Sequence, residues 1–277
     1  MSSLQAPIPL HLSGVYRRHV GASMVRIWEN VFDWEHLPWL HGSSFQSVDL
    51  EESGPWGWRI RLVNQPGDPA KPQILELRVD REAHRYTVTT LQGQGQGSEI
   101  RVQLSPRGAH DTDIEVSFFV PEARPERLAV IGARYIEVYT LLWDEDEAMM
   151  RERERALHAS RTGSQQVRAD PVRLGEEAAV RAALPVTVHY AGAPWRVVDL
   201  DGDLLAHATT CPHWLGPLDT APARDGCITC PWHGYRFDVR TGASADGRAL
   251  HLQKPPGVHV KNGAVWLGLP MDDAGTR

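Results

Sequence analysis

The sequence predicts an α+β chain of two domains, and three observations carry that prediction. The length of 277 residues leaves room for two modest domains. A run of short β-prone segments over 48–120 leads into a single long helical stretch over 125–158. Beyond a small polar stretch, short strands and tight turns return until about residue 269.

Residues 23–37 have helical spacing, with Met24, Ile27, Trp28, Val31 and Phe32 apolar, and Pro38 is expected to bend or stop that helix. Strands are predicted at 57–63, 74–80, 85–91, 99–104 and 113–120. QPGDPAKP (65–72) and GQGQG (93–97) read as loops between antiparallel strands. The second of these precedes a strand and not a helix, so it is not a phosphate loop. ASRTGSQQ (159–166) has the composition of a linker. The expected organisation is a first domain over 1–160, a linker over 161–170, a second domain over 171–270 and a frayed tail over 271–277.

Composition narrows the function classes. With 29 basic and 35 acidic side chains the net charge is −6, which argues against nucleic acid as a partner. Three cysteines rule out a disulfide-stapled scaffold and any four-cysteine metal site within one chain. Thirteen histidines mean that metal chemistry would lean on imidazole. The first residues lack the pattern of a signal peptide, and no stretch approaches about 18 uninterrupted apolar residues. A cytoplasmic protein with no membrane partner is expected.

The strongest motif is CPHWLGPLDTAPARDGCITCPWHGYRFD (211–238). Cys211-x-His213 is followed after sixteen residues by Cys230-x-x-His233. Two thiolates and two imidazoles on separate loops can hold an asymmetric [2Fe-2S] cluster, one iron taking both cysteines and the other both histidines. Cys₂His₂ also suits tetrahedral zinc, but a zinc finger usually places both cysteines before both histidines, and here they alternate. Pro212 and Pro231 stiffen the loops; Gly216 and Gly234 permit close backbone approach. Cys227 falls outside the pattern and is expected to be a buried strand residue. This arrangement resembles the Rieske proteins over about 167–269, of the soluble ferredoxin and oxygenase type.

A second motif lies in the first domain. Asp33-x₂-His36-x₄-His41 resembles the iron motif of the Rieske non-heme iron oxygenases, the ring-hydroxylating family. On an unbroken helix the two histidines would stand about 140° apart; a bend at Pro38 would let them converge. Asp33, one turn before His36, can accept from that imidazole. A carboxylate must complete the site, and the resembled family draws it from a long downstream helix. Among DEDE (144–147), Asp146 falls inside the apolar stripe of Tyr135, Val138, Tyr139, Leu142, Met149 and Met150. Glu145 stands at its edge, while Asp144 and Glu147 (with Glu152 beyond) are expected on the solvated side.

The resemblance implies a helix-grip, START-like antiparallel sheet closed by its long helix, then an all-β Rieske domain. It implies a Rieske cluster, a mononuclear Fe(II) on His36, His41 and Asp146, and oxygenation of a small hydrophobic or aromatic substrate with O₂. Asp33 would bridge the cluster histidine and an iron histidine during electron transfer. An NAD(P)H-dependent reductase, acting directly or through a ferredoxin, and a homotrimeric assembly are further expectations. Candidate substrate contacts are Trp39, Phe45, Trp56, Trp58, Tyr139 and Trp143. The family usually carries the Rieske module first, whereas this chain has it last. That reversal keeps a second reading open: a non-catalytic Rieske electron carrier fused to a domain that binds a hydrophobic ligand.

Overall fold

The computed structural model describes residues 9–162 and 169–268. The chain divides into two compact units, Met1–Arg151 and Glu152–Arg277.

The first unit begins with β1 (His11–Val20), a strand not expected from the sequence, followed by α1 (Met24–Phe32) and α2 (Leu37–Leu40). Ser23 caps α1 by accepting from the Arg26 N–H at 3.3 Å, and Ile27, Asn30 and Val31 face inward at helical spacing. The predicted bend at Pro38 falls earlier. The helix ends at Phe32, and Asp33 leaves it in extended geometry. Pro38 stands in the first turn of α2, where its missing N–H is no loss. His36 and His41 are therefore the two caps of a single-turn helix.

Six strands follow: β2 (Phe45–Gly54), β3 (Gly57–Asn64), β4 (Gln73–Asp80), β5 (Arg85–Gln92), β6 (Glu99–Pro106) and β7 (Thr112–Val120). They form an antiparallel meander, and β1 adds to β7 to give the order β1-β7-β6-β5-β4-β3-β2. Inward residues recur at every second position, as with Tyr86, Val88 and Thr90 on β5. The long helix α3 runs Pro125–Thr162, so part of the expected linker (161–162) is helical and 163–168 lie outside the described residues. The division between units falls inside this helix, after Arg151.

One close approach seats α3. A Cβ on Gly132 would stand 1.9 Å from the Ser13 carbonyl oxygen, and one on Gly14 would stand 3.2 Å from Gly132 Cα. Bare backbone on both sides lets the helix touch β1 directly. Glu147, expected in solvent, instead accepts from the Gly21 N–H at 3.0 Å and pairs with Arg18 at 2.6 Å. Its side chain is only 13% exposed because β1 covers that side of the helix.

The second unit contains β8 (Val172–Glu176), α4 (Glu177–Ala183), β9 (Val186–Tyr190), β10 (Ala193–Leu200), β11 (Asp203–Ala208), β12 (Ala223–Arg224), β13 (Cys227–Thr229), β14 (Arg236–Asp238), β15 (Val258–Lys261) and β16 (Ala264–Leu267). These strands make three small antiparallel sheets, β11-β10-β9, β12-β13-β14 and β15-β16-β8. The short α4 departs from the expected all-β character, and its Val180 packs with Leu204 and Val265. Cys227 opens β13, the central strand of its sheet, as a half-buried free thiol, less enclosed than expected because it stands at the strand's end beside the turn from Arg224.

Candidate metal centres and cavity

The two cysteine loops fold alike. In the first, the Cys211 N–H donates to the Gly216 carbonyl at 2.8 Å and the Leu215 N–H to the Cys211 carbonyl at 3.1 Å. In the second, the Cys230 N–H donates to the Tyr235 carbonyl at 2.8 Å and the Gly234 N–H to the Cys230 carbonyl at 2.9 Å. The fifth residue of each turn has a left-handed backbone, with φ of 64° at Leu215 and 68° at Gly234. The first loop thus makes this turn with a leucine. Its glycine serves another purpose, because a Cβ on Gly216 would stand 2.9 Å from Cys230 Sγ.

These turns bring the four predicted ligands together. Cys211 and Cys230 are buried, and the His213 and His233 rings lie 4.6 Å apart at 83° with both Nδ1 atoms buried. Tyr235 stacks on His213 at 4.4 Å, under the Arg248 guanidinium at 3.9 Å. The thiols share a hydrogen bond. That bond, with burial beside it, raises Cys211, and the same bond lowers Cys230 against the opposing effect of burial. One proton of the pair is therefore held loosely and the other tightly, and metal loading displaces both. Two convergent thiols beside two imidazoles with buried Nδ1 atoms fit a [2Fe-2S] cluster of mixed ligation.

In the first unit, His36, His41 and Asp146 converge, with one ligand atom from each lying within 4.8 Å of the others. All three residues are buried. Asp146 Oδ1 stands 3.1 Å from His41 Nε2 and 3.5 Å from His36 Nε2, and it accepts from Asn30 Nδ2 at 2.8 Å. The opposite ring nitrogens also meet carboxylates: His41 Nδ1 donates to Glu145 Oε2 at 2.6 Å, and His36 Nδ1 lies 3.3 Å from Asp33 Oδ2. Burial pushes the His41 imidazole down, but Asp146 and then Glu145 outweigh it and hold it above its ordinary value. Burial pushes Asp146 up, and His41, His36 and Asn30 bring it below its ordinary value.

Three carboxylates thus surround two imidazoles in a poorly solvated site. A divalent cation held by His36, His41 and Asp146 would take the place of a proton there, with Glu145 fixing the His41 ring. The residues fit such an ion. Glu145 and Asn30 were not singled out as site residues from sequence. Asn30 did carry a signal, as a polar residue within the apolar stripe of Ile27 and Val31.

The three residues form one end of a cavity of about 970 Å³ between the sheet and α3. Its wall is mainly apolar, including Leu62, Leu75, Leu77, Val88, Ile100 and Leu142. Of the predicted substrate contacts, Phe45, Trp58, Tyr139 and Trp143 line it. Trp39 and Trp56 do not: Trp39 is 51% exposed on α2, and Trp56 lies under the Arg78 guanidinium at 4.9 Å. Trp58 also donates its indole N–H to the Val31 carbonyl at 2.9 Å, which holds the end of α1 over the cavity. Burial raises the phenols of Tyr86 and Tyr139, which remain protonated donors.

The cavity has a closed and an open end. The metal-ligand candidates at one end are buried, whereas Gln94, Gly95, Arg127, Val130 and Arg134 at the other are exposed. Asp146 and Arg127 are nineteen residues apart on α3, roughly 28 Å along a helix.

The Rieske [2Fe-2S] domain family matches residues 170–256, a span containing all four cluster-ligand candidates. No curated protein matches the sequence. Among solved structures, norcoclaurine synthase from Thalictrum flavum is 19% identical over 53% of this chain and 89% of its own, with a TM-score of 0.40. The Zhui aromatase/cyclase from Streptomyces sp. R1128 is 13% identical over 54% of this chain and 98% of its own, at 0.43. The ferredoxin of carbazole 1,9a-dioxygenase from Nocardioides aromaticivorans IC177 is 27% identical over 36% of this chain and 98% of its own, at 0.32. No helix among the described residues is long and apolar enough to cross a membrane.

Proposed function

We propose that this protein, whose C-terminal part is a Rieske [2Fe-2S] electron-transfer domain, is an oxygenase acting on a small hydrophobic or aromatic compound. The observation that carries the reading is a buried two-histidine, one-carboxylate cluster opening onto an apolar cavity, in a chain that also has a Rieske domain. Fe(II) bound by His36, His41 and Asp146 would supply O₂ activation, with electrons arriving through the cluster held by Cys211, His213, Cys230 and His233. An NAD(P)H-dependent reductase, directly or through a ferredoxin, is the proposed electron source.

The chain's own residues have assignable tasks. Glu145 holds His41 with its Nδ1 as donor, leaving Nε2 directed at Asp146. Asp33 Oδ2 stands 3.3 Å from His36 Nδ1, close but not hydrogen-bonded, and its place at the end of α1 makes it the proposed conduit residue for electrons. Asn30 restrains Asp146 Oδ1, and the apolar wall excludes water from the substrate.

Iron analysis of anaerobically prepared protein tests the reading. About three irons per chain are expected, two in the cluster and one at the histidine–aspartate site. His36→Ala or Asp146→Ala should leave about two, with the Rieske absorbance intact and oxygen-dependent turnover lost. Wild-type protein holding only two irons, or zinc at His36 and His41, would return the protein to the reading of an electron carrier with a ligand-binding domain.

A further inference from the structure

Two tyrosines line the cavity from different elements: Tyr86 from β5 and Tyr139 from α3. Most polar groups in this wall are already satisfied. Asn64 donates to Gln73 at 2.7 Å, Tyr135 bonds Ser98, and Trp58 donates to the Val31 carbonyl at 2.9 Å. The hydroxyls of Tyr86 and Tyr139 make no hydrogen bond among the described residues, and both open into the cavity. Their rings are held firmly. Phe118, fully buried, meets Tyr139 edge-on at 4.9 Å, and Trp28 meets Tyr86 edge-on at 6.5 Å.

Their depth is defined as well. Tyr139 is seven residues before Asp146, two turns away on the same helix face and roughly 10 Å from it along the axis. Thr90 and Ser98 come next, and Arg127 and Arg134 stand at the exposed end. Phenylalanines would fill the same space without desolvating two hydroxyls, so the pair is a polar feature set into an apolar wall.

We infer that Tyr86 and Tyr139 hold an oxygen atom of the substrate, which is therefore an apolar ring compound carrying a carbonyl or hydroxyl oxygen near the end that enters first. This rests on the reading of the cavity as the substrate site and deepens it. The two tyrosines are positioning residues: they donate to the substrate oxygen and set which carbon faces His36, His41 and Asp146.

A matched pair of probes, 9-fluorenone and fluorene, tests this on the full-length cluster-containing protein, by calorimetric binding and by the infrared carbonyl stretch of bound fluorenone. Fluorenone should bind about ten-fold more tightly than fluorene, as one added hydrogen bond to a neutral acceptor implies. Its carbonyl stretch should fall below the value in dry alkane. In Tyr86→Phe/Tyr139→Phe both the preference and the shift should vanish while fluorene still binds. Equal affinities in the wild type, an alkane-like stretch, or a preference that survives in the double variant would each overturn the inference. The infrared measurement needs only the wild type, so it decides the matter even if the variant folds poorly. An iron-free histidine–aspartate site would defeat the oxygenase reading yet leave the fluorenone preference in place, so the two failures are distinguishable.

Discussion

Asp33 leaves α1 at its last turn and comes within 3.3 Å of His36 Nδ1 with its side chain only 7% exposed. Asp33→Asn keeps the shape and removes the charge. Both metals should remain bound while reduction of the iron by the cluster slows about 10–100-fold, read by rapid-mixing absorbance. An unchanged rate would remove Asp33 from the electron path. Glu145→Gln weakens the anchor of His41 and should lower iron affinity by about 10–100-fold in competition with a chelator. On β4, Glu76 pairs with Arg59 at 2.5 Å and Arg78 at 2.6 Å. Burial opposes its ionisation, but hydrogen bonds from Arg78 and Arg59 prevail and hold it below the ordinary 4.5. Its folded value is depressed, so its stabilising effect is present above pH 4.5 and fades as pH falls through the lower folded value. Glu76→Gln should therefore melt earlier than wild type at neutral pH, with the gap closing on acidification. A constant gap would contradict this assignment.

At the scale of elements, two close contacts have single-atom tests. Gly132→Ala would drive a methyl group into the Ser13 carbonyl and push α3 off β1. A loss on the order of 1–3 kcal/mol is expected, visible as a lower Tm. Gly216→Ala would place its methyl against Cys230 Sγ and the Trp232 ring. Cluster incorporation should drop sharply by visible absorbance, while far-UV dichroism changes little. Elements with strong local patterns were legible in the sequence: the 3.6-residue stripe of α3 placed Asp146 on the buried face, and turn residues delimited β3 to β7 closely. What failed to show depended on distant partners. β1 reads His-Leu-Ser-Gly-Val-Tyr-Arg-Arg-His-Val, with a glycine in its first half and Arg17, Arg18 and His19 in its second, and it is a strand because β7 pairs with it. Glu147 looked solvated because β1 was not foreseen over it. The break before α2 was misplaced because Asp33, with no propensity strong enough to mark a stop, ends α1 ahead of Pro38.

Across the whole molecule, the residue types marked the side chains that converge more plainly than they marked the fold. Alternating Cys-x-His and Cys-x-x-His ligands marked the second unit, and Asp-x₂-His-x₄-His marked the first. The cavity was not legible, because its wall draws on β3, β4, β5, β6 and α3, and single-sequence periodicity does not say which inward faces leave space between them. Nor did sequence distinguish Phe45 and Trp58, which line it, from Trp39 and Trp56, which do not. The pairing of β1 with β7 carries one more consequence. Every other strand pair in that sheet joins chain neighbours through a turn, whereas His11 meets Val120 and Val20 meets Thr112. Closing so long a loop is entropically costly and slow, so this pairing is expected late in folding. The helices α1 and α2 lie between β1 and β2, so the same pairing helps to fix the segment that carries His36 and His41 to Asp146. An ion bound there would tie that segment to α3, making metal a ligand of the folded topology itself. Anaerobic Fe(II) should accordingly raise the melting temperature of the first unit and slow its unfolding, and His36→Ala should abolish both effects.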